Sequence, residues 1–192
     1  MPRARLRSPS IRGHIPPRLR GPAAPRRRIP GGRGTTYRLG AALRRIGFDI
    51  DEITWRAPAD LDLDRAASWV VEQVAPALAE PAHLLVGKSL GSFAAPFAAD
   101  RGVPAIWLTP LLHRAEVTGA LARATAPFLL VGGTADPSWD GVAARRLSPH
   151  VLEVDGADHS LLLPGPLARS AEVLGMVCTA AEEFLGGAGS GG

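Results

Sequence analysis

Three residues that could together perform nucleophilic chemistry stand in separate glycine-containing stretches. Ser89 lies in GKSLG, Asp136 in GGTADP and His159 in DGADHS. A serine hydroxyl is a weak nucleophile until a base removes its proton, and a histidine oriented by a carboxylate can act as that base. These residue types predict acyl transfer, with Ser89 as nucleophile, His159 as general base and Asp136 as the acid that orients the histidine.

The serine occupies a G-x-S-x-G pattern between a predicted strand, 83–86, and a predicted helix, 89–99. In the sharp turn that this pattern makes, small residues two before and two after the serine let strand and helix approach closely. Free N–H groups at the start of the helix favour a developing negative charge, so Leu90 N–H is a predicted oxyanion donor. The alternative is that Ser89 only caps a tight turn.

Asp136 follows a predicted apolar strand, 128–131, and two glycines. An acid at this point can reach a histidine from a neighbouring strand end, because the carboxyl ends of parallel strands meet at one edge of a sheet. The alternative is that Asp136 only caps a helix that begins near Pro137. Asp140, four residues further on, is the competing acid.

Five histidines are available for the role of base. His159 follows the predicted strand 151–154, and so lies at the edge where Ser89 and Asp136 are expected. His113 also follows a strand at that edge, which makes it the competitor and a candidate for lining a substrate pocket. The remaining histidines are placed in the arginine-rich segment or at strand beginnings: His14, His83 and His150.

Short apolar segments alternate with helical ones along most of the chain. This alternation predicts an α/β fold, a parallel sheet with helices on both faces. The predicted strands are 48–55, 83–86, 103–108, 128–131 and 151–154, and the predicted helices are 36–46, 63–78, 89–99, 111–123, 139–147 and 166–185. Ser89, Asp136 and His159 follow three of these strands, in the chain order that G-x-S-x-G sites in such sheets use.

The length of 192 residues and the 46% hydrophobic content predict one domain. Residues 1–28 are rich in Arg, Pro and Gly and are predicted to be disordered, because they bury too little apolar surface to offset their ordering entropy. The domain is predicted over 29–185, followed by a flexible Gly/Ser tail, 186–192.

The net charge of +4 is unevenly distributed. Ten of the 22 basic residues fall in the first 33 positions, which leaves the rest of the chain at −6. A nucleic-acid-binding arm is the rival interpretation, and it predicts steeply salt-dependent binding that is lost on deleting residues 1–28. Because charge runs are usually solvated, no nucleic-acid partner is expected.

Cys178 is the single cysteine, so no internal disulfide and no cysteine metal cluster can form. A reducing compartment follows, and the cytoplasm is the predicted location. No apolar run approaches the roughly 18 residues that a membrane helix needs, and no membrane partner is expected. The chemistry expected of the three site residues implies no metal or cofactor.

Three stretches resemble those of small α/β hydrolases: 87–92 (GKSLGS), 132–139 (GGTADPSW) and 156–163 (GADHSLLL). Over roughly residues 29–185 the chain is similar to the compact bacterial branch grouped with dienelactone-hydrolase-like or Tex30/KANL3-like proteins. The resemblance implies a minimal sheet, no large lid, and hydrolysis of an ester or similar acyl bond in a small-molecule substrate. Thioesterase, peptidase and lactone-hydrolase chemistry can use the same side chains, since fold does not fix substrate.

The family also implies a central strand before the first helix, ending in a glycine loop that supplies a second oxyanion donor. Residues 30–34 (PGGRG) fit that loop, with Gly32 or Arg33 as the donor. The preceding residues, 26–29 (RRRI), offer one apolar side chain, and burying three arginines would be very costly. The strand is therefore predicted to be weak or missing and the chain to have low stability or solubility. A catalytically impaired homologue that acts as a binding protein is the alternative function.

Overall fold

The computed structural model of the chain describes residues 10–13, 33–53, 55–76 and 84–188. Within them, six strands form one sheet in the order β2-β1-β3-β4-β5-β6, with every neighbouring pair parallel. The strands are β1 (Ser10–Gly13), β2 (Asp49–Glu52), β3 (Leu84–Lys88), β4 (Ala105–Leu108), β5 (Phe128–Gly133) and β6 (His150–Val154).

In the described residues, a helical segment lies between each two strands that are consecutive in sequence, and a further helix follows β6. A 3₁₀ segment, Ser89–Ala94, follows β3 directly and continues into an α-helix. The α-helices are α1 (Arg33–Arg45), α2 (Leu63–Val74), α3 (Ala95–Arg101), α4 (Ala115–Arg123), α5 (Gly141–Leu147) and α6 (Leu167–Ala188).

Alternate residues of the inner strands divide between two apolar clusters, one on each face of the sheet. In β3, Leu85 packs in the cluster with α2, α3 and α4, whereas Leu84 and Val86 pack in the cluster with α1 and α6. Every residue of β3 is buried, because helices cover both faces. The predicted parallel sheet with helices on both faces is confirmed.

Two apolar residues at the ends of helices are exposed. Ile46 is 45% exposed, since it lies just beyond the end of α1, and Leu167 is 77% exposed as the first residue of α6. At these helix ends the described residues do not cover the side chains. The apolar side chains that α1, α2 and α6 bury include Leu39, Leu43, Val70, Val74, Val177, Ala181 and Phe184.

β1 lies where the resemblance implies the central strand. Its backbone pairs with both neighbours, so that Ile11 stands opposite Ile50 on one side and Leu84 on the other. The strand is only four residues long, which agrees with a weak strand and not with a missing one. It also corrects the predicted domain boundary at residue 29, because Ser10–Gly13 falls inside the segment 1–28 that the composition predicts to be disordered. Residues 26–29 lie outside the described residues.

Two helix ends differ from the expected ones. α2 ends at Val74, not at residue 78, two residues before Pro76, which cannot donate a helical hydrogen bond. α6 continues through Ala188, so the first residues of the expected tail are helical. No helix in the described ranges is both long enough and apolar enough to cross a membrane.

Candidate active site

The loops that follow β3, β5 and β6 meet at the carboxyl edge of the sheet and bring three side chains together. The Oγ atom of Ser89 lies 2.7 Å from Nε2 of His159. Nδ1 of the same imidazole lies 2.7 Å from Oδ2 of Asp136. The Asp136 side chain is fully buried, whereas that of His159 is 38% exposed. The structure thus joins the three residues singled out in the sequence into one hydrogen-bonded chain with an open face at the imidazole.

The backbone at Ser89 explains why its hydroxyl is presented at this edge. Its φ of +51° lies in the left-handed region, which costs a non-glycine residue about 1–3 kcal/mol. Lys88, the residue before it, is still extended and occupies the N-cap position without a side-chain capping bond. The hydroxyl of Ser89 bonds to His159, so the alternative of a serine that merely caps the turn does not describe this geometry.

The two glycines of the motif differ in what they allow. A Cβ atom on Gly87 would lie 2.5 Å from Cζ3 of Trp107 and 2.9 Å from the carbonyl oxygen of Gly91, distances that real Cβ atoms do not show. A Cβ on Gly91 meets no atom of the described residues within 4 Å. The expectation that close packing needs a small residue is therefore correct two positions before the serine and wrong two positions after it.

Ser92, the last residue of GKSLGS, joins the turn to the loop after β4. Its hydroxyl donates to the carbonyl oxygen of Ser89 at 2.7 Å and accepts from the N–H of Leu111 at 3.2 Å. The residue is 1% exposed, so these bonds are shielded from water. They hold the backbone of Ser89 in its strained conformation.

The two acids after β5 have different partners. Asp136 uses Oδ1 to accept from the N–H of Ser138 at 2.8 Å, while Oδ2 faces His159. Asp140 instead accepts from two backbone N–H groups in the first turn of α5 and is a helix N-cap. Asp136 therefore both caps a turn and contacts the imidazole, whereas Asp140 caps the helix α5.

The loop that carries His159 is folded around Asp158. Its Oδ1 accepts from the N–H groups of Ser160 and Leu162 at 2.8 and 2.9 Å. Leu161, with a φ of +62°, is 2% exposed and anchors the loop in the apolar cluster on the α1 and α6 side of the sheet. The imidazole thus projects from a tight turn that is held by the hydrogen bonds to Asp158 and by the buried side chain of Leu161.

Gly133 lets this loop approach the one that carries Asp136. A Cβ atom at Gly133 would collide with the carbonyl group of Ala157. The same carbonyl oxygen accepts the N–H of Ala135 at 3.1 Å. The second glycine of GGTADP is therefore required by the contact that sets the distance between Asp136 and His159.

The other histidines do not contact Ser89 in the described residues. His113 lies exposed in the turn after β4. His150 begins β6, at the opposite edge of the sheet, and its ring packs edge-on against Phe184 at 5.2 Å between centroids. His14 and His83 lie outside the described residues.

The predicted oxyanion donors are described only in part. Leu90 is the second residue of the 3₁₀ segment, where backbone N–H groups lack partners within the helix. Arg33 is the first residue of α1, and Gly32 lies outside the described residues. The second donor stays a prediction.

Lys88 is the site residue that the sequence reasoning missed. It is 7% exposed, and its Nζ donates to Oγ1 of Thr109 at 2.8 Å and to the carbonyl oxygen of His159 at 2.7 Å. Burial lowers the pKa of its ammonium group to about 8, against the opposing effect of the negative charges on Asp136 and Asp158. A signal was present, since the only lysine in a chain with 21 arginines stands beside the candidate nucleophile.

No family model and no curated protein matches the chain, but many solved structures do. An α/β serine hydrolase homologue from Coxiella burnetii is 17% identical with a TM-score of 0.54, over 88% of this chain and 83% of that one. A serine hydrolase without a lid from Xanthomonas campestris is 16% identical with a TM-score of 0.55, over 95% and 85%. An esterase domain from Rhodothermus marinus is 16% identical with a TM-score of 0.54, over 94% and 88%.

At such low identity the likeness concerns the fold, and placement in the dienelactone-hydrolase-like or Tex30/KANL3-like branch stays a prediction. The strand order, the two helical layers and the solved structures agree on one architecture. The chain has the α/β-hydrolase fold.

Proposed function

We propose that this chain is a serine hydrolase that cleaves an ester or related acyl bond through an acyl-enzyme. The observation that carries the proposal is the pair of 2.7 Å contacts that link Ser89, His159 and Asp136. Supporting it are the strained backbone of Ser89 and the exposed face of the imidazole, which a substrate can reach.

In the first half-reaction, Nε2 of His159 takes the hydroxyl proton as Oγ of Ser89 attacks the acyl carbon. Asp136, held from behind by the N–H of Ser138, orients the imidazole and stabilises its positive charge. The N–H of Leu90 donates to the developing oxyanion, and Gly32 or Arg33 supplies the second donor. The carbon–oxygen bond to the leaving group then breaks, and His159 returns the proton to the departing alcohol.

In the second half-reaction, water enters at the exposed side of His159 and gives a proton to Nε2 as its oxygen attacks the acyl carbon. The bond from that carbon to Oγ of Ser89 breaks, the serine regains its proton from the imidazole, and a carboxylic acid leaves.

A fluorophosphonate probe tests the proposal without knowledge of the substrate. Oγ of Ser89 attacks the phosphorus, fluoride leaves, and mass spectrometry of the digested protein locates the adduct. We expect labelling of Ser89 in the wild type, none in Ser89→Ala, and a rate lowered roughly 10³-fold or more in His159→Ala. Ser68→Ala is a matched control that should label normally, since its side chain is exposed and its hydroxyl donates to the carbonyl oxygen of Arg65.

A catalytically impaired homologue that binds acyl compounds is the second candidate. The four-residue β1 favours it, because the predicted loop for the second oxyanion donor follows this part of the chain. Folded wild-type protein that binds esters but takes no label at Ser89 would establish that function and contradict the hydrolase. If labelling succeeds, a panel of esters, thioesters, lactones and peptides assigns the bond that is cleaved.

A further inference from the structure

Lys88 connects three of the loops at the carboxyl edge. It is the last residue of β3, and its Nζ reaches Oγ1 of Thr109 in the loop after β4 and the main-chain carbonyl oxygen of His159 in the loop after β6. The bond to His159 spans 71 positions of the sequence. One buried side chain therefore ties the backbone of the proposed base to the strand that carries the proposed nucleophile.

The residues around this ammonium group are conformationally strained. Ser89, next to Lys88 in the chain, has a φ of +51°, and Thr109, its hydrogen-bond partner, has a φ of +43°. A positive φ is rare for a β-branched residue, and such strain persists only where surrounding contacts hold it. The ammonium group supplies one such contact at Thr109. It supplies a second at His159, which lies two positions before Leu161, the third residue at this edge with a positive φ.

The partners of the ammonium group indicate what it contributes. A buried cation costs free energy, and an apolar side chain could fill the same space without that cost. The two oxygens that accept hydrogen bonds from Lys88 Nζ are uncharged, a hydroxyl and a backbone carbonyl. The negative charges that act on the ammonium group belong to Asp136 and Asp158. What the ammonium adds over an apolar residue is a charge-assisted donor to the backbone of His159.

We propose that Lys88 is a positioning residue for the reaction at Ser89, which holds the main chain of His159 so that its imidazole stays within hydrogen-bond distance of the serine hydroxyl. The inference rests on the proposed function and adds to it a residue that touches neither the substrate nor the reacting atoms.

The ionisation of Lys88 gives this role a distinctive pH dependence. Burial brings the pKa of the ammonium to about 8, and Asp136 and Asp158 oppose that shift; Thr109 and His159 face it as hydrogen-bond partners. Above this pH the group becomes a neutral amine, whose hydrogen bonds have roughly half the strength of charge-assisted ones. The labelling rate at Ser89 should therefore fall as the pH rises through about 8.

Stability should move in the opposite direction. A lysine whose pKa is lower in the folded than in the unfolded state binds fewer protons when folded, so the free energy of unfolding rises with pH between the two values. A fall in labelling above pH 8 that accompanies unchanged or greater stability cannot come from alkaline unfolding. The two measurements together separate positioning from a purely structural role.

The experiment measures the fluorophosphonate labelling rate from pH 5 to pH 10 for the wild type, Lys88→Met and Thr109→Val, with thermal unfolding of each. Lys88→Met keeps the length of the side chain and removes its donors. We expect labelling about 10- to 100-fold slower, because a displacement of about 1 Å can cost 10²-fold, and no alkaline decline. Thr109→Val keeps the bond to His159 and should lose less than about 10-fold while retaining the decline.

Lys88→Met that labels at the wild-type rate, with the same pH profile, overturns the inference. If that variant does not fold, Lys88→Arg replaces it: its guanidinium stays charged throughout, so a persisting alkaline decline in that variant overturns the inference too. If the wild type is labelled at Ser89 and Lys88→Met is labelled equally fast, only the role of Lys88 is refuted. A folded wild type that takes no label refutes the proposed function and this inference with it.

Discussion

Two loops at the same edge of the sheet hold their reactive residues by different means. The elbow, residues 87–92, depends on shape, since Gly87 packs against the Trp107 ring where no larger residue fits. The histidine loop, residues 155–163, depends on hydrogen bonds between side chains and its own backbone. Asp158 supplies two of them from within the loop.

Three further side chains that bond to the backbone of the histidine loop come from elsewhere in the chain. Lys88 donates to the carbonyl oxygen of His159, Thr134 accepts the N–H of Gly156 at 2.7 Å, and the hydroxyl of Ser170 accepts the N–H of Leu163 at 3.0 Å. The fit at Gly87 therefore involves one neighbouring strand, β4, whereas the histidine loop is held by polar side chains from several distant segments. A change of volume should damage the first, and a loss of a hydrogen-bond partner should damage the second.

Gly87→Ala should have the largest effect. The new Cβ would lie 2.5 Å from a ring atom of Trp107, which is buried and 1% exposed, so either the ring or the backbone of the elbow must move. Overpacking of this kind costs about 1–3 kcal/mol or more. We expect a loss of that size in the free energy of unfolding, measured with denaturant, and little or no labelling at Ser89.

Gly91→Ala is the matched control for that substitution. Its Cβ meets no described atom within 4 Å, and alanine is favoured over glycine in a helix by up to about 1 kcal/mol. We expect unchanged or slightly raised stability and normal labelling. Equal damage from both substitutions would contradict the view that the elbow depends on the fit between Gly87 and Trp107.

Asp158→Ala should have an intermediate effect. It removes the acceptor of the Ser160 and Leu162 N–H groups, but this turn is exposed enough for water to replace part of the loss. We expect a loss of about 1–2 kcal/mol in stability and a labelling rate about 10-fold lower, since the imidazole loses its fixed support. Asp158→Asn keeps an acceptor oxygen and should remain close to the wild type; a defect as large as that of alanine would point to charge instead of hydrogen bonding.

Trp139→Phe should have the smallest effect, because it lies outside both loops. The indole Nε1 donates to Oε2 of Glu153 at 2.7 Å, and Arg145 contacts the other oxygen at 3.1 Å. The indole hydrogen bond, with Arg145, lowers the pKa of Glu153 against the opposing effect of burial. A carboxyl group whose pKa is lower in the folded than in the unfolded state stabilises the fold fully at pH values above the unfolded-state pKa. This stabilisation is lost as the pH falls through the folded-state pKa.

Unfolding of Trp139→Phe measured from neutral to acid pH should therefore show a loss of about 1 kcal/mol near neutrality and a weaker acid dependence. Labelling at Ser89 should not change. A slower label in this variant would show that the support of the site extends beyond the two loops.

The contrast between the loops also explains what could be predicted from the sequence. The strand and helix pattern gave the architecture from Leu84 onward, because strands buried on both faces read as continuous apolar runs. The central strand, sought at residues 26–29, is predicted from the sequence to be weak or missing, whereas the structure has β1 at Ser10–Gly13. Four residues with one apolar side chain carry no periodic signal, so the position of such a strand depends on pairing with β2 and β3.

Within the site, the types and order of Ser89, Asp136 and His159 predict that these side chains lie together, and the structure has them in contact. The role of Gly87 followed from the motif, but the assumption that Gly91 is needed for close packing was wrong, since only the structure reveals the open space there. Lys88 was missed because charged side chains are seldom buried, and its partner at His159 is 71 positions away.

The separation of 70 positions between Ser89 and His159 has a consequence for the newly made chain. Ribosomes add about 5–20 residues per second, so the serine is synthesised roughly 4–14 s before its proposed base. During that interval, and in any chain that terminates before His159, the serine lacks its proposed base. If Ser89 and His159 have the proposed roles, reactivity towards acyl compounds is confined to chains that have been translated past His159, almost to the last helix.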